Sequence, residues 1–146
     1  MRTEIQTAIR SAMVASTALT EALGAASLIH YAWDTDEVLP NLSGTNKVAL
    51  FWGADLSEGD QPHSGNATLK REPDVSVTFH LFGFNIENVN TACEALIDLF
   101  NESTLSTTNY KIYRIKRSGD TVLYEAPYRC WHRAISMSFQ EIWKQT

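Results

Sequence analysis

The chain has 146 residues, which is long enough to bury a hydrophobic core and short enough to be expected to form a single domain, 1–146. Hydrophobic residues make up 44% and charged residues 20%, which excludes a disordered chain, and the net charge of −5 argues against general affinity for nucleic acid. No apolar run approaches the about 18 residues of a membrane-spanning helix. The N-terminus lacks a basic start followed by an apolar core, so no signal peptide is expected.

The first third of the chain predicts two helices followed by two strands. Apolar residues at helical spacing from Ile5 to Met13 predict an N-terminal helix. A second, short helix over 18–23 is expected to end at Gly24. Apolar runs at 27–33 and 47–54 then predict two strands. The polar segment between them, 34–46, predicts a loop.

A long polar segment, 55–72, contains glycine and proline and has no apolar periodicity. Such a length without regular structure is unusual inside a compact domain. We expect it to be either mobile or a hairpin arm that a partner orders. Glu58 and Asp60 lie within it, but two carboxylates without a ligand ladder indicate a solvated loop rather than a cation site.

The clearest pattern lies in the middle of the chain. Every second residue from Val75 to Leu81 is β-branched, aliphatic or aromatic, which predicts a strand with one buried face. Gly83 breaks this alternation, Asn85 takes the N-cap position of a helix, and Glu87 lies in its first turn. Apolar residues follow at steps of three and four, so this helix is expected to lie on the sheet: Ile86, Val89, Cys93, Leu96 and Phe100.

The C-terminal part predicts two strands. The segment 109–117 alternates and carries a partly basic face, and 118–120 (Ser-Gly-Asp) predicts a turn. The last strand, 129–142, is so long that we expect a bulge or bend near His132 and Arg133. Residues 101–108 are expected to form a linker, and residues 121–127 a short bridging segment.

The order of these elements predicts an α+β fold. The short connections favour a mainly antiparallel sheet, with the long helix and the N-terminal helix packed on one face.

No sequence motif predicts an active site. The chain has no phosphate-binding loop, no nucleophile elbow and no His-Glu pair at helical spacing, and its four histidines are scattered. Cys93 and Cys130 lack metal-binding spacing and are expected to be reduced core residues. We therefore expect a protein that is not an enzyme and that holds no cofactor and no metal.

The basic strand has two interpretations. Its cations, with tyrosines between them, could bind single-stranded nucleic acid by charge and stacking. They could equally form a solvated edge strand on which positive charge blocks aggregation, and this second interpretation is favoured. The cations are Lys111, Arg114, Lys116 and Arg117.

The chain resembles the tail terminator, or tail completion, proteins of long-tailed bacteriophages. The resemblance lies in the order of elements over nearly the whole chain: an N-terminal helix, a short strand, a strand, a polar loop, a strand that runs into a long helix, and two final strands. Four segments carry it, namely IHYAW at 29–33, KVALFW at 47–52, the strand and helix at 75–84 and 86–100, and AISMSFQEIW at 134–143.

This resemblance implies a structural virion protein, assembled in the host cytoplasm, that forms a ring at the head-proximal end of the tail tube. Such a ring, usually a hexamer, stops tube polymerisation and joins the tail to the head. The implied partners are further copies of the chain, the tail tube protein and the head–tail connector or stopper. DNA passes through the ring without specific recognition, no membrane is involved, and the family has no catalytic residues to carry over.

Three alternatives remain open on the sequence: another connector or stopper protein of the neck, a small nucleic-acid-binding domain, and an enzyme with a site scattered along the chain. For a ring, opposite charges on different surfaces of one subunit favour a head-to-tail contact. The candidate interface residues are Glu58, Asp60, Lys111, Arg114, Lys116 and Arg117.

Overall fold

The computed structural model describes residues 1–31, 42–53 and 71–145, together with the backbone of 57–58. Within these ranges the helices are α1 (Arg2–Ala15), α2 (Thr17–Leu23) and α3 (Ile86–Phe100). The strands are β1 (Ile29–Tyr31), β2 (Val48–Trp52), β3 (Ser57–Glu58), β4 (Arg71–Glu72), β5 (Val75–Gly83), β6 (Leu105–Ser106), β7 (Tyr110–Glu125) and β8 (Cys130–Lys144).

The strands form a single sheet in the order β1-β2-β5-β8-β7-β6, in which β3 also pairs with β5 and β4 with β8. Every described pairing is antiparallel except that of β1 with β2. The predicted α+β fold with a mainly antiparallel sheet is therefore confirmed.

The unit formed by β5 and α3 has the predicted boundaries and the predicted buried faces. Asn85 caps α3, since its side-chain oxygen accepts a hydrogen bond from the backbone N–H of Glu87 at 2.8 Å. Phe79 of β5 stacks on Phe100 of α3, with ring centroids 5.7 Å apart, and Phe100 meets the ring of Phe139 in β8 edge-on. The helix thus covers the apolar face of the two central strands.

The opposite face of β5 is also apolar at its C-terminal end. Phe82 is fully buried and meets Phe51 of β2 edge to face, at a centroid distance of 5.6 Å. The strand ends at Gly83, where a Cβ atom would lie 2.9 Å from the side chain of Val89 and 3.0 Å from the carbonyl oxygen of Lys47. Only glycine lets the sheet approach α3 so closely at this point.

The two N-terminal helices pack against α3, and α2 also contacts β2, so the helices share one face of the sheet. The apolar stripe of α1 is buried as predicted through Ile5, Ile9 and Met13. The short helix α2 begins at an N-cap serine, Ser16, and ends at Gly24, whose φ of 114° is left-handed. A side chain at this glycine would collide with the backbone of residue 45, so the helix stop is also a packing requirement.

Two predicted boundaries near the strand ends are wrong. The strand predicted over 27–33 begins later, because Ala26–Leu28 forms a 3₁₀ turn and the described pairing with β2 starts at Ile29 and reaches Tyr31. The last two residues of the prediction, 32–33, lie outside the described part of the chain. The predicted linker 101–108 contains β6, which pairs with Lys111 and Ile112 of β7. Short edge strands of this kind carry too few residues for a recognisable period.

The predicted turn at 118–120 is also wrong, since β7 continues through it as one strand. Arg117 faces Met137 and Gly119 faces Ser136, so Ser118 is an extra residue on β7 and forms a bulge. No register shift lies near His132, where a bulge was predicted. The hairpin turns instead at residues 126–129, where Arg129 adopts a φ of 53°.

Both ends of the predicted loop 55–72 belong to the sheet. Residues 57–58 pair with the beginning of β5, and 71–72 pair with the C-terminal part of β8. These two short strands thus extend the sheet on different neighbours, β5 and β8. Residues 54–56 and 59–70 lie outside the described part of the chain, as do 32–41 of the earlier loop, so the hairpin arm stays a prediction.

Candidate interaction surface

Strand β7 has a partner along only one side for most of its length. β8 pairs with it from Tyr110 to Glu125, whereas on the other side β6 pairs only with Lys111 and Ile112. Next to this pairing, the Glu102 N–H donates to the Ile115 carbonyl at 2.8 Å and the Arg117 N–H donates to Asn101 Oδ1 at 3.0 Å. Within the described residues, the open sheet edge is therefore limited to the outer part of β7, residues 118–125. An open edge of this kind can pair with a strand of another chain. Proteins therefore usually use such an edge for binding or protect it with charged residues, a bulge or a covering segment.

The four predicted basic residues all lie on β7, and three of them, at 114–117, fall where residues 101–102 hydrogen-bond to the outer side of the strand. Arg114 and Arg117 are exposed, and Lys116 is half-buried opposite Ser138 of β8. Lys111 lies next to the β6 pairing, and its Nζ sits 5.5 Å from the centre of the Tyr113 ring. The structure thus gathers the predicted cations on one strand at one edge of the sheet.

Arg117 also belongs to a charge network around Asp120. The guanidinium of Arg133 donates two hydrogen bonds to the Asp120 carboxylate, at 2.9 and 2.7 Å, and a third to the Asn90 side chain of α3. Arg117 contributes a looser ion pair with Asp120 at 3.7 Å. The hydrogen bonds from Arg133 lower the pKa of Asp120 despite its partial burial, and they raise the pKa of Arg133 in turn. This network fastens the hairpin to α3 and was not predicted from the sequence.

Of the two acidic candidates, the structure describes the backbone of one and leaves the other outside the described residues. The backbone of Glu58 lies in β3, whereas Asp60 is outside the described residues. The pairing register places one residue from each of four strands side by side across the sheet: Ser57, Ser76, Ser138 and Lys116. At about 4.8 Å between neighbouring strands, β3 and the basic part of β7 are separated by roughly 14 Å, one at each edge of this part of the sheet.

The distal part of the hairpin exposes a group of apolar side chains that the sequence interpretation missed. Val122 is 48% exposed and Tyr124 51%, and Leu123 and Tyr128 are also exposed. Tyr124 packs edge-on against Trp131 across the hairpin, at 5.2 Å between centroids. The β-branched and aromatic residues of 121–124 are typical of a strand. Because a turn was predicted just before them, they were interpreted as a short bridging segment instead.

Two histidines that are distant in sequence meet on the other face of the sheet. His80 Nδ1 lies 2.9 Å from His132 Nε2, and His132 Nδ1 lies 2.9 Å from a carboxylate oxygen of Glu125. In the tautomer in which the Nδ1–H of His132 donates to Glu125, Nε2 of His132 accepts a hydrogen bond from the Nδ1–H of His80. His132 is buried and stacks on Phe82 at 4.2 Å. The prediction of scattered histidines is therefore wrong for these two, because the register between β5 and β8 brings them together.

A groove of about 620 Å³ lies between α1 and the segment that contains β6. Its walls combine alanine and leucine side chains with hydroxyl groups, for example those of Thr7, Ser11 and Thr108, and one carboxylate, Glu4. The Glu4 carboxylate accepts a hydrogen bond from the side-chain amide of Asn109, so it is engaged in the fold. The groove gathers no set of groups that would perform chemistry.

Both cysteines are free and buried, as predicted. Burial raises the pKa of Cys93 to about 12 and that of Cys130 to about 11, and in the latter the charge of Glu125 adds to the effect. The thiols are therefore protonated at neutral pH and poor nucleophiles. Among the described residues, no group of three or more histidine, cysteine, aspartate or glutamate side chains could hold a metal ion, and no helix combines the length and apolarity that crossing a bilayer requires.

Comparison with known proteins found a solved structure with a similar fold. No protein-family model and no curated protein matches the chain. Among solved structures, a chain from "Virion of native gene transfer agent (GTA) particle" matches with a TM-score of 0.67 at 10% sequence identity. The match covers 98% of this chain and 96% of the other, so the likeness extends over the whole fold.

Proposed function

We propose that this protein is a structural component of a phage-like virion. The observation that carries the proposal is the whole-length likeness in fold to a chain of a gene transfer agent virion. A likeness that covers 98% of this chain and 96% of the other fits a common structural role better than a shared fragment. The order of elements in the sequence led independently to the same class of protein.

Within the virion, we propose the position of tail terminator: a ring, hexameric in the form we favour, at the head-proximal end of the tail tube. A tube grows by adding rings that each recruit the next, and a terminator copies the docking side of such a ring but lacks the recruiting side. This role needs subunits that join head to tail around a closed ring. The charge distribution along the sheet supports it, because four cations lie on β7 and an acidic residue position, 58, lies on a separate strand, β3.

A connector or stopper of the neck remains the second candidate, since it would share the ring and the virion location. The single-stranded nucleic-acid alternative is less well supported. Arg117 already pairs with Asp120, and Lys111 lies over Tyr113, so two of the four cations are engaged within the chain.

The test is electron microscopy of the purified protein, alone and mixed with tail tubes, together with deletion of the gene from the phage that carries it. A terminator forms closed rings, binds one end of the tubes, and leaves tails of uncontrolled length or unjoined heads when it is deleted. A ring of twelve would favour the connector. Uniform tails that still join heads in the deletion phage would overturn the terminator assignment.

A further inference from the structure

We propose that each subunit of the ring binds its neighbour by inserting the turn of its β7–β8 hairpin into the groove between α1 and β6 of the next copy. This inference rests on the proposed function, because it names a contact by which that ring closes. The turn is formed by residues 126–129, and the groove, of about 620 Å³, lies between α1 and residues 105–108. Both surfaces lie within the described part of the chain.

The turn and the groove lie at opposite ends of the subunit. The sheet-side wall of the groove, 105–108, ends just before β7 begins at Tyr110, and the turn follows directly after β7 ends at Glu125. β7 is 16 residues long, which separates the two surfaces by roughly 50 Å at about 3.3 Å per residue. A chain therefore cannot fill its groove with its own turn, and a contact between these surfaces joins two copies head to tail. Such contacts form a ring when the rotation between neighbours closes.

The turn is a fixed projection with exposed apolar side chains. Residues 126–129 are all exposed, and beside them Tyr124 is 51% exposed. The backbone N–H groups of Tyr128 and Arg129 each donate to a carbonyl across the turn, at 3.2 Å. Aromatic side chains on a preorganised surface are typical of the residues that anchor protein–protein interfaces.

The groove is a concave surface whose two walls are held together by the fold. On α1 it is lined by short side chains, among them Ala8 and Ser11, which leave space next to residues 105–108. Asn109 joins the walls, since its side-chain amide donates to the carboxylate of Glu4 at 2.8 Å. The volume lies within the range of about 300–1,000 Å³ in which protein pockets bury ligands of drug size, which is also the scale of a few side chains of a turn. A groove that is fixed in advance loses little entropy when a neighbour binds.

Each surface carries one charged side chain, and the two charges are opposite. Arg129 is the charged residue of the turn, and it makes no ion pair with any described residue. Glu4 is the charged residue among those that line the groove. One of its oxygens accepts the hydrogen bond from Asn109, and the other has no hydrogen-bond partner among the described residues. Insertion that brings Arg129 to this second oxygen forms a charge-assisted pair and sets the orientation of the turn. A two-fold contact between two turns would instead bring two arginines together.

Cross-linking in the full chain tests the contact directly. Thr7→Cys places a thiol in the groove and Ala126→Cys places one on the turn, whereas the native Cys93 and Cys130 are buried. A short bismaleimide links two thiols without the strict geometry of a disulfide. We expect it to convert the assembled double variant into a ladder of linked species that ends at the closed ring, and to leave both single variants unlinked. Covalent dimers of the Ala126→Cys variant alone would overturn the contact in favour of a two-fold one, and rings of the double variant that stay unlinked would overturn it as well.

Charge exchange tests the recognition. Arg129→Glu alone and Glu4→Arg alone each place like charges in every contact, so we expect either change to weaken ring assembly about tenfold or more in sedimentation velocity. The chain that carries both changes restores an opposite pair at every contact, so its rings should return. Ser11→Trp fills the groove without changing its charge and should also prevent ring formation, which keeps the test decisive if Glu4→Arg fails to fold. Circular dichroism with thermal melting reports the folding of each variant.

Exposed charges outside both surfaces provide the controls, Glu21→Lys on α2 and Arg10→Glu on α1, and these should leave the ring intact. Normal rings of the Ser11→Trp variant, or a folded charge-exchanged chain that stays monomeric, would overturn the contact while leaving the proposed function in place. Ser11→Trp rings that no longer bind tail tubes would assign the groove to the tube protein and overturn the contact between subunits. Wild-type protein that never forms rings, even on tail tubes, would overturn both proposals.

Discussion

Phe79→Ala is expected to lower the free energy of unfolding by about 3–5 kcal/mol, the range found for large aromatic residues in well-packed cores. Phe79 has no exposed surface. Burying a phenylalanine side chain is worth about 1.5–3 kcal/mol. Its ring also pairs with Phe100 at 5.7 Å and with Trp52 at 6.2 Å, and each such pair adds about 0.5–1.5 kcal/mol. Removing the ring loses these contributions and leaves a cavity between β5 and α3.

Urea denaturation followed by circular dichroism measures this loss, and tryptophan fluorescence is a second probe because Trp52 touches the ring. Phe84→Ala is the matched control, since Phe84 lies just after β5 and is 49% exposed. It should change the stability by no more than about 0.5 kcal/mol. A cost below about 1 kcal/mol for Phe79→Ala would refute the assignment of this strand face to the core.

Three further predictions test the groups around the hairpin. Asp120 has a lowered pKa, so its contribution is present above the unfolded value of about 3.9 and is lost as the pH falls through the lower folded value. Asp120→Asn should therefore destabilise the protein at neutral pH, and stability curves of the two forms should converge in acid. His132→Phe keeps a ring against Phe82 but removes the hydrogen bonds to Glu125 and His80, for an expected cost of about 1–3 kcal/mol in urea denaturation. Cys93 and Cys130 should react with Ellman's reagent at pH 8 only after unfolding, and rapid reaction of the native protein would contradict their burial.

The central unit could be predicted from the sequence because its signals are local and agree with one another. The alternation in β5, the cap at Asn85 and the apolar stripe of α3 each depend on residues only a few positions apart. The same reasoning identified β2 as a buried strand and Gly24 as a helix stop. In these elements, local preference and the final packing favour the same conformation.

The hairpin could not be predicted in full because its decisive contacts are long-range. Ser118-Gly119-Asp120 has the composition of a turn, and only the pairing of β7 with β8 on both sides of Ser118 makes it a bulge. Pairing between His80 and His132 likewise requires the register of β5 with β8, 52 residues apart in sequence. Among the interface candidates, the cations were found from composition, but their position on β7 between β8 and residues 101–102 depends on long-range pairing.

The two unpredicted networks have a common consequence for β7. Neighbouring positions on a strand point to opposite faces, so Arg133 and His132 leave β8 on opposite sides of the sheet. On one side Arg133 ties Asp120 of β7 to α3, and on the other His132 ties Glu125 of β7 to β5. The outer half of β7 is thus held from both faces although it has a neighbouring strand on one side only. A strand that is already fixed in the extended conformation has less entropy left to lose than a flexible one, so this part of the hairpin is preorganised for any contact it makes.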